Sequence, residues 1–453
     1  MNRFQGGAPL LAVWFFVASC ATAPKPETTL AVTSATGERV SVDSATAAFD
    51  VDGIKVILRS NTASEVVAVR LFLRGGTRQL TLATQGIESL WLHTAEFGTA
   101  MYPGDRSRTA WARTGSEETT ETGADWTVSG FVTIREQVDS AWNVWADRLR
   151  HPALARKYVE ITRERLASLD RRRRSSADGM LSLAADSVAF DGHPYALRPG
   201  GTETSLRLLD SAAVAQYASA TLVKSRLLLV IVGNISREEV SRAVARSFAT
   251  LPVGDYRWTL PALLTPTAGP PAMIMQPSST DYLLGYFGGP SIDDVEFPSF
   301  RMAVAILSGR MSHVIREEQG LSYAAMAPLI DRGATAGGVY VSTRQPSKVL
   351  KLIRGQIDTL KSLTFDLANV HYMAEQFIMD FFGENSTSDA QADFLARSAL
   401  YLGDYRKAGQ MMDGLRQVTP GRIQHAARRY FKNIRFAFVG DTTHVRRAEL
   451  TGS

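Results

Sequence analysis

The sequence predicts an α+β fold of two homologous α/β-roll domains, each a mostly antiparallel sheet with helices packed on one face. Three observations carry this prediction. The chain has 453 residues, enough for two domains of about 200 residues each. Five prolines fall between Leu251 and Pro271, where they oppose helices and strand ladders and so mark a linker. The halves on either side of this linker repeat the same elements.

The repetition is visible at both ends of each half. Each half has an early apolar strand that runs into a Gly-Gly pair, at Val66–Leu73 and at Tyr282–Phe287. Each half ends with a helix that starts at a capping residue, Asp210 or Thr419, and continues into an apolar strand. These closing strands stop at Val-Gly-Asn or Val-Gly-Asp and are predicted at Leu227–Val232 and Ile434–Val439. The pattern indicates a duplicated unit.

Helices are predicted between these strands, and the linker sets the domain boundaries. The clearest helices are Val138–Leu149, Ala155–Asp170 and Ser347–Leu363. The arginine run Arg171–Arg174 is interpreted as the solvated end that follows the second of these helices. We predict an N-terminal domain at 45–250, the linker at 251–271 and a C-terminal domain at 272–453.

Composition excludes several classes of protein. Hydrophobic residues make up 45% and charged residues 21% of the chain, which excludes disordered, collagen-like and polytopic membrane proteins. The net charge of +5 is small for this length and gives no reason to expect nucleic-acid binding. A single cysteine, Cys20, excludes an intrachain disulfide and a cysteine-based zinc site.

The N-terminus is typical of an exported lipoprotein. One positive charge at Arg3 precedes an apolar run, Ala8–Ala18, that is too short to span a bilayer. The run ends in Val-Ala-Ser-Cys, which resembles a bacterial lipoprotein cleavage box with Cys20 as the lipidated residue. We therefore expect a signal peptide at 1–19 and a tether at 20–44. The expected location is the bacterial cell envelope, lipid-anchored, with the outer membrane facing the periplasm favoured.

One segment resembles a known active-site helix. Gly86–Thr99 reads GIESLWLHTAEFGT and resembles the zinc-binding helix of the pitrilysin/insulinase family, metallopeptidases that include the mitochondrial processing peptidases. Their motif is His-x-x-Glu-His. The resemblance extends over essentially the whole mature chain, including a His-Pro-Tyr turn at His193 and a Gly-Gly-Thr-Glu turn at Gly200. It implies that the two domains form a clamshell.

The motif is degenerate in this chain. The resemblance places Ser89 at the first histidine and Leu92 at the general base, and only the second histidine is kept, as His93. The distant carboxylate ligand falls near Ser168. Zinc hydrolases need three protein ligands and a base beside the bound water, so we expect no cofactor in this chain and no peptide cleavage by it alone. His93 and Glu96 share a helix face and are interpreted as a polar pair.

A second signature of the family is intact. Residues 316–323 read REEQGLSY, which places Arg316 in the last turn of a helix, Gly320 at a left-handed cap and Tyr323 on the following strand. In active relatives this pair binds the scissile carbonyl and stabilises the oxyanion. The structural alternative is a helix-end arginine and a tyrosine packed in the sheet.

The resemblance leads to one functional hypothesis and two alternatives. We expect an exported, lipid-anchored, non-metal-binding subunit of a heteromeric zinc metallopeptidase. It would supply Arg316 and Tyr323 to a homologous partner that has an intact motif and holds the zinc, with a peptide or unfolded protein as substrate. The alternatives are a structural homologue, like the inactive family members of the respiratory cytochrome complex, and a peptide-binding protein that captures strands by edge addition.

Overall fold

The computed structural model describes residues 45–267 and 269–451, which belong to one compact unit. The predicted signal peptide, the tether and Cys20 lie outside these residues. Within the described residues, no helix is both long and apolar enough to cross a bilayer.

The first half of the described chain contains six strands and eight α-helices. The strands are β1 Thr46–Val51, β2 Ile54–Ser60, β3 Val66–Arg74, β4 Glu117–Thr122, β5 Trp126–Ile134 and β6 Leu227–Gly233. The helices are α1 Ile87–Ala95, α2 Asp105–Thr114, α3 Val138–Arg150, α4 Arg156–Ser175, α5 Ala177–Ala189, α6 Glu203–Leu208, α7 Ser211–Thr221 and α8 Arg237–Phe248.

The second half of the described chain contains six strands and seven α-helices. The strands are β7 Ala272–Met275, β8 Asp281–Ser291, β9 Ser322–Met326, β10 Leu329–Ile330, β11 Ala334–Thr343 and β12 Arg435–Gly440. The helices are α9 Phe297–Met311, α10 Pro346–Ser362, α11 Leu367–Glu384, α12 Ser388–Tyr401, α13 Gln410–Arg416, α14 Pro420–Tyr430 and α15 Arg447–Leu450.

The two sheets share the strand order β2-β6-β3-β5 in the first and β7-β12-β8-β11 in the second, which confirms the predicted duplication. The first sheet has the strand order β1-β2-β6-β3-β5-β4, and the second has the order β10-β11-β8-β12-β7, with β9 also paired to β11. In the first sheet β2 pairs in parallel with β6, and in the second β7 pairs in parallel with β12. The other neighbouring pairs in the described residues are antiparallel. Both sheets are therefore mostly antiparallel, as predicted.

One face of each sheet packs on helices of the same half. In the first half, alternate residues of β6 such as Leu229 join a core with α1, α3, α4, α7 and α8, in which Trp91, Trp142 and Trp145 are fully buried. In the second half, β8 and β12 bury Phe287 and Phe438 against α9, α10, α11 and α14. This burial of large apolar and aromatic side chains is the main source of stability of each half.

The opposite face of each sheet is covered by a helix from the other half. Helix α12 of the second half packs Leu395 and Leu400 on Val230 and its neighbours in the first sheet. Helix α5 of the first half packs Leu181 on Val439 and its neighbours in the second sheet. The sequence prediction placed helices on one face only. A second cover is needed because strands such as β6 are buried on both faces.

A buried carboxylate joins the two halves. Asp125 Oδ2 accepts hydrogen bonds from the Tyr195 hydroxyl at 2.6 Å, the Tyr401 hydroxyl at 2.8 Å and the Gly333 amide at 3.3 Å. Burial, together with the charge of Asp125, raises the pKa of both tyrosines, so their hydroxyls stay protonated and donate. The Arg78 guanidinium lies 3.8 Å from the second oxygen of Asp125. Asp125 and Tyr195 come from the first half and Tyr401 from the second.

The described part of the linker has no regular secondary structure, whereas the arginine run is helical. The described residues of 251–271 form neither helix nor strand, and Trp258 donates a hydrogen bond to the Leu400 carbonyl at 2.7 Å. The predicted domain boundaries themselves stay a prediction. We expected the arginine run to follow α4. The structure instead places it within the last turns of this helix. There Arg174 contacts Asp170 at 3.1 Å, and Arg171 contacts Glu203 at 3.1 Å.

Candidate functional site

The helix that corresponds to the zinc-binding helix is α1, and its start is fixed by glycines. Gly86 precedes α1 with φ of 92°, a left-handed conformation that favours glycine. A Cβ atom at Gly86 would lie 2.6 Å from the Cα atom of Gly201, so the two chain segments touch through their backbones. The Gly-Gly turn named in the sequence therefore packs directly against the start of α1.

Ser89 and Leu92 are part of the protein interior. Ser89 is buried, and its hydroxyl lies 3.3 Å from the Thr122 hydroxyl of β4. Leu92 is buried in the apolar core of the first half. A serine hydroxyl is a poor zinc ligand, and a leucine side chain cannot accept a proton. The structure thus uses both positions for packing.

His93 lies at the edge of this interior and is paired. Its Nδ1 atom is 2.8 Å from Glu96 Oε1, which confirms that the two side chains share a face of the helix. Glu118 of β4 lies near this pair, and its strongest partner is Arg148, with which it forms an ion pair. Burial raises the pKa of Glu118 in spite of Arg148.

The expected distant ligand position is also changed. Ser168 is half-buried on α4, and the carboxylate that the sequence reasoning missed is Asp170, two residues further along this helix. Asp170 is buried and accepts hydrogen bonds from Arg198 at 2.8 Å and from the Glu203 amide at 3.1 Å. An acidic residue in a predicted helix was the available signal for Asp170. Its partners come from a loop and the next helix, so its engagement was not visible in the sequence.

Glu88 is the other buried acid of this region. Its carboxylate accepts hydrogen bonds from Arg226 at 3.0 Å, from the Thr127 hydroxyl at 2.5 Å and from the Tyr217 hydroxyl at 2.7 Å. Glu88 is 2% exposed, and these three partners satisfy it in the core. It therefore does not replace the missing histidine at Ser89.

These residues do not fit a zinc ion. His93 Nδ1 is paired with Glu96, and the carboxylates of Glu118 and Asp170 are held by Arg148 and Arg198. The remaining motif positions, Ser89 and Leu92, carry a buried hydroxyl and an aliphatic side chain. Among residues 45–267 and 269–451, no group of three histidine, cysteine or acidic side chains converges as metal ligands. The arrangement is that of a packed polar boundary, not of an open tetrahedral site.

The Arg316 and Tyr323 side chains lie together on the surface. Arg316 is in the last turn of a π-helical segment, Ser312–Glu318, that continues α9, and Gly320 has φ of 58° as predicted for a left-handed cap. The Arg316 guanidinium lies 5.1 Å from the centre of the Tyr323 ring, within the range of a cation–π contact. Tyr323 is on β9 and is 84% exposed. It is therefore not a tyrosine packed in the sheet.

The residues around this pair are charged and polar. His313 contacts Glu317 at 2.9 Å and Glu318 at 3.1 Å, and the hydrogen bond with Glu317 raises the pKa of His313. Elsewhere in the chain, His193 accepts a hydrogen bond from the Tyr195 amide at 3.2 Å, which holds the His-Pro-Tyr turn. π-helical segments are rare in proteins, and those that occur often lie at functional sites. Here the segment sets the position of Arg316.

Comparison with known proteins identifies the family. A model described as insulinase (peptidase family M16) matches residues 55–190, and one described as the peptidase M16 inactive domain matches residues 209–377. Together they cover about two thirds of the chain. An uncharacterized zinc protease of Rickettsia bellii is 23% identical over 338 residues, which are 72% of this chain and 77% of the relative.

Solved structures show the same fold. The peptidase M16 inactive domain from Pseudomonas fluorescens aligns with a TM-score of 0.79 and 17% identity, over 88% of this chain and 98% of that one. A chain of complex III2 from Candida albicans, with Inz-5 bound, aligns with a TM-score of 0.73 and 15% identity, over 89% of this chain and 99% of that one. The predicted two-domain clamshell fold is confirmed, and the chain belongs to the M16 (pitrilysin/insulinase) family as a member with a degenerate zinc motif.

Proposed function

We propose that this chain is the non-metal-binding subunit of a heteromeric zinc metallopeptidase. One observation carries the proposal. The zinc-motif positions Ser89 and Leu92 are absorbed into the interior, whereas Arg316 and Tyr323 are side by side and exposed. A purely structural role needs no exposed arginine on a π-helical turn beside an exposed tyrosine on the next strand.

The chemistry of the pair suits a contribution in trans. A guanidinium and a phenol both donate hydrogen bonds to oxygen, and a positive charge stabilises the negative charge that develops on a carbonyl oxygen. The cation–π contact holds the two groups together before substrate binds. A homologous partner with an intact His-x-x-Glu-His motif would provide the zinc, the water and the base, while this chain binds the peptide and its carbonyl.

The purified chain is expected to contain well under one zinc ion per molecule. One imidazole is not a site, and His93 already pairs with Glu96. Elemental analysis after dialysis against zinc-containing buffer and then metal-free buffer measures this, with an intact-motif M16 peptidase prepared in parallel as control. Stoichiometric zinc that survives the dialysis would contradict the prediction, and its loss in His93→Ala would point to a rebuilt site that includes His93.

Mixing this chain with its intact-motif partner is expected to raise peptide cleavage well above that of either chain. Arg316→Ala or Tyr323→Phe should reduce the gain by about 10²–10³-fold, because each removes a donor to the oxyanion. The loss should fall mainly on kcat, since such a contact forms chiefly in the transition state. Steady-state kinetics of the mixed subunits provide the measurement.

Matched controls separate this role from unfolding and from loss of assembly. Arg344→Ala and Tyr372→Phe alter an exposed arginine and an exposed tyrosine elsewhere in the second half and should leave the gain unchanged. Size-exclusion chromatography should show that the Arg316 and Tyr323 variants still form the complex. A stable interface buries at least about 1,000 Å², and one side chain contributes little of that area. Variants that stay folded and bound but cleave normally would refute the proposal.

The same experiment decides the second candidate, a catalytically inactive structural or peptide-binding homologue. The observation in its favour is the packed interior at Ser89 and Leu92, together with the likeness in fold to a chain of complex III2. A structural homologue predicts that no partner gains activity. A peptide-binding homologue predicts that peptide binds to this chain alone and that Arg316→Ala weakens that binding without any effect on turnover.

We further propose that the chain is exported and anchored through Cys20. The support is the short apolar run and the Val-Ala-Ser-Cys sequence. In a bacterial host, Cys20→Ala should leave an uncleaved precursor without the mass of acyl chains, as measured by mass spectrometry of the intact protein. A native protein without this added mass, or a Cys20→Ala protein that is cleaved like the native one, would refute the anchor.

A further inference from the structure

The duplication shows that one strand of the first sheet has no counterpart in the second. In the first sheet β2 is the strand parallel to β6, and in the second sheet β7 is the strand parallel to β12. The outer edge of β2 is covered by β1, which pairs with it antiparallel from Thr46 to Val51. Within residues 45–267 and 269–451, no strand pairs with the outer edge of β7.

The contacts of β1 show how a strand is bound at the outer edge of β2. A tight turn at Asp52 and Gly53, both with positive φ, joins β1 to β2 as a hairpin. The Phe49 side chain of β1 is 9% exposed and lies under the guanidinium of Arg237, 4.5 Å from it. Arg237 is the first residue of α8, the helix that follows β6. The edge strand is thus held by a ladder and by one aromatic anchor.

The second half has an arginine at the position that corresponds to Arg237, but its described residues include no strand that corresponds to β1. Arg447 is the first residue of α15, the helix that follows β12, and it is exposed. Arg446 precedes it, with a side chain that is 82% exposed. Two prolines, Pro270 and Pro271, lie directly before β7, so the chain arrives from the linker and not from a hairpin arm.

The edge of β7 is open to hydrogen bonding. The Gln276 amide donates to the Gly440 carbonyl of β12 at 2.9 Å. Alternation along a strand then turns the amides of Met273 and Met275 away from β12. All four residues of β7 are apolar, and Met275 is 53% exposed, whereas the edge strand β4 of the first sheet carries three glutamates. Edges without charged residues are sites at which another strand can add.

A groove runs beside this edge and has a defined chemistry. It has a volume of 590 Å³ and is lined by Met273, Met275, Thr442, Val445, Arg446 and Arg447, among others. Methionine side chains adapt to apolar groups of different shape. Arg446 lies 3.4 Å from Glu449, so the two arginines with this glutamate keep a net positive charge that attracts acidic residues. The Arg447 guanidinium can stack on an aromatic ring.

We propose that the outer edge of β7 binds an extended segment of a partner protein as an added antiparallel strand. The segment carries an aromatic side chain that stacks on Arg447 and an acidic residue next to Arg446. In the first half, β1 has this composition, with Asp50 directly after Phe49. The proposed site is separate from Arg316 and Tyr323 and does not depend on the proposed function.

A peptide with the sequence of residues 45–52 is the probe, since it carries the edge strand that the first half already uses. Fluorescence polarisation with the full chain should show saturable binding of the labelled peptide. Met275→Pro should weaken binding about fivefold or more, because it removes one outward amide. That proline keeps the ladder to β12, since the inward amides belong to Ile274 and Gln276. Arg447→Ala should weaken binding about two- to fivefold through loss of the ring contact.

Three controls make the result specific. A peptide with alanine in place of phenylalanine should bind as weakly to the native chain as the original peptide does to the Arg447 variant. A peptide methylated on alternate backbone nitrogens should not bind, and Arg316→Ala should leave binding unchanged. Independently of any variant, amide hydrogen exchange of Met273 and Met275 should slow when the peptide is added.

Several outcomes would overturn the proposal. They are absence of saturable binding, binding that Met275→Pro leaves intact in a folded protein, and binding that Arg316→Ala reduces, which would place the peptide at the other site. Unchanged hydrogen exchange at β7 on saturation with the peptide would overturn it even if Met275→Pro proved unstable.

Discussion

Arg226→Ala is expected to destabilise the fold by about 3–5 kcal/mol, because it leaves the Glu88 carboxylate charged and without a cation in the core. Glu88 and Arg226 are 2% and 3% exposed, and their atoms are 3.0 Å apart. Thr127 and Tyr217 donate to the same carboxylate, but neutral donors cannot compensate a full charge. Urea unfolding followed by circular dichroism measures the change.

Two comparison variants test the cause of this loss. The double variant Glu88→Gln with Arg226→Met removes both charges but keeps a carbonyl oxygen that can accept from Thr127 and Tyr217, and it should recover most of the lost stability. Arg156→Ala breaks an exposed ion pair with Glu160 and should have little effect. If Arg226→Ala and Arg156→Ala proved equally mild, the buried pair would not be a stabilising contact of α1.

Asp125→Ala is expected to cost about 3–5 kcal/mol and to weaken the coupling of the two halves. The substitution leaves the hydroxyls of Tyr195 and Tyr401 and the Gly333 amide without their common acceptor, and each unsatisfied buried donor costs about 1–3 kcal/mol. Because Tyr401 belongs to α12, which covers the first sheet, the loss should loosen this helix most. Hydrogen exchange of α12 should therefore rise more than that of α3.

A conservative variant provides the control for Asp125. Asp125→Asn keeps one carbonyl oxygen and should cost less than Asp125→Ala, since one acceptor can still serve the tyrosines. Equal effects of the two variants would show that the charge, through Arg78, matters more than the accepted hydrogen bonds. A change in hydrogen exchange spread evenly over both halves would contradict the assigned role in coupling.

Much of the fold could be predicted from local sequence patterns. The helix starts at Asp210 and Thr419 were predicted from residues whose side chains cap helices, and the structure shows both caps, with hydrogen bonds from Ala213 and Arg422 amides. The strands at the ends of both halves were predicted from continuous apolar runs. These signals are local, so a single sequence contains them.

The rest depended on contacts between distant parts of the chain. The covering of each sheet by a helix of the other half has no local signature, because α5 and α12 look like ordinary amphipathic helices. Asp170 pairs with Arg198, and Glu88 pairs with Arg226. Both ion pairs join residues that are far apart in the sequence. Sequence spacing indicated where Arg316 and Tyr323 lie along the chain. The π-helical turn that brings them together was not predictable from propensity.

The exchange of α5 and α12 has a consequence for how a newly made chain reaches its native state. The strand β6 that completes the first sheet ends at Gly233, but the helix that covers its outer face ends at Tyr401. At about 5–20 residues per second, a ribosome needs roughly 10–30 s to synthesise the residues between these two points. Throughout that interval the nascent first half presents an apolar sheet surface to its surroundings. The protein should therefore depend on a holding chaperone during synthesis, and its N-terminal half should aggregate when it is produced alone.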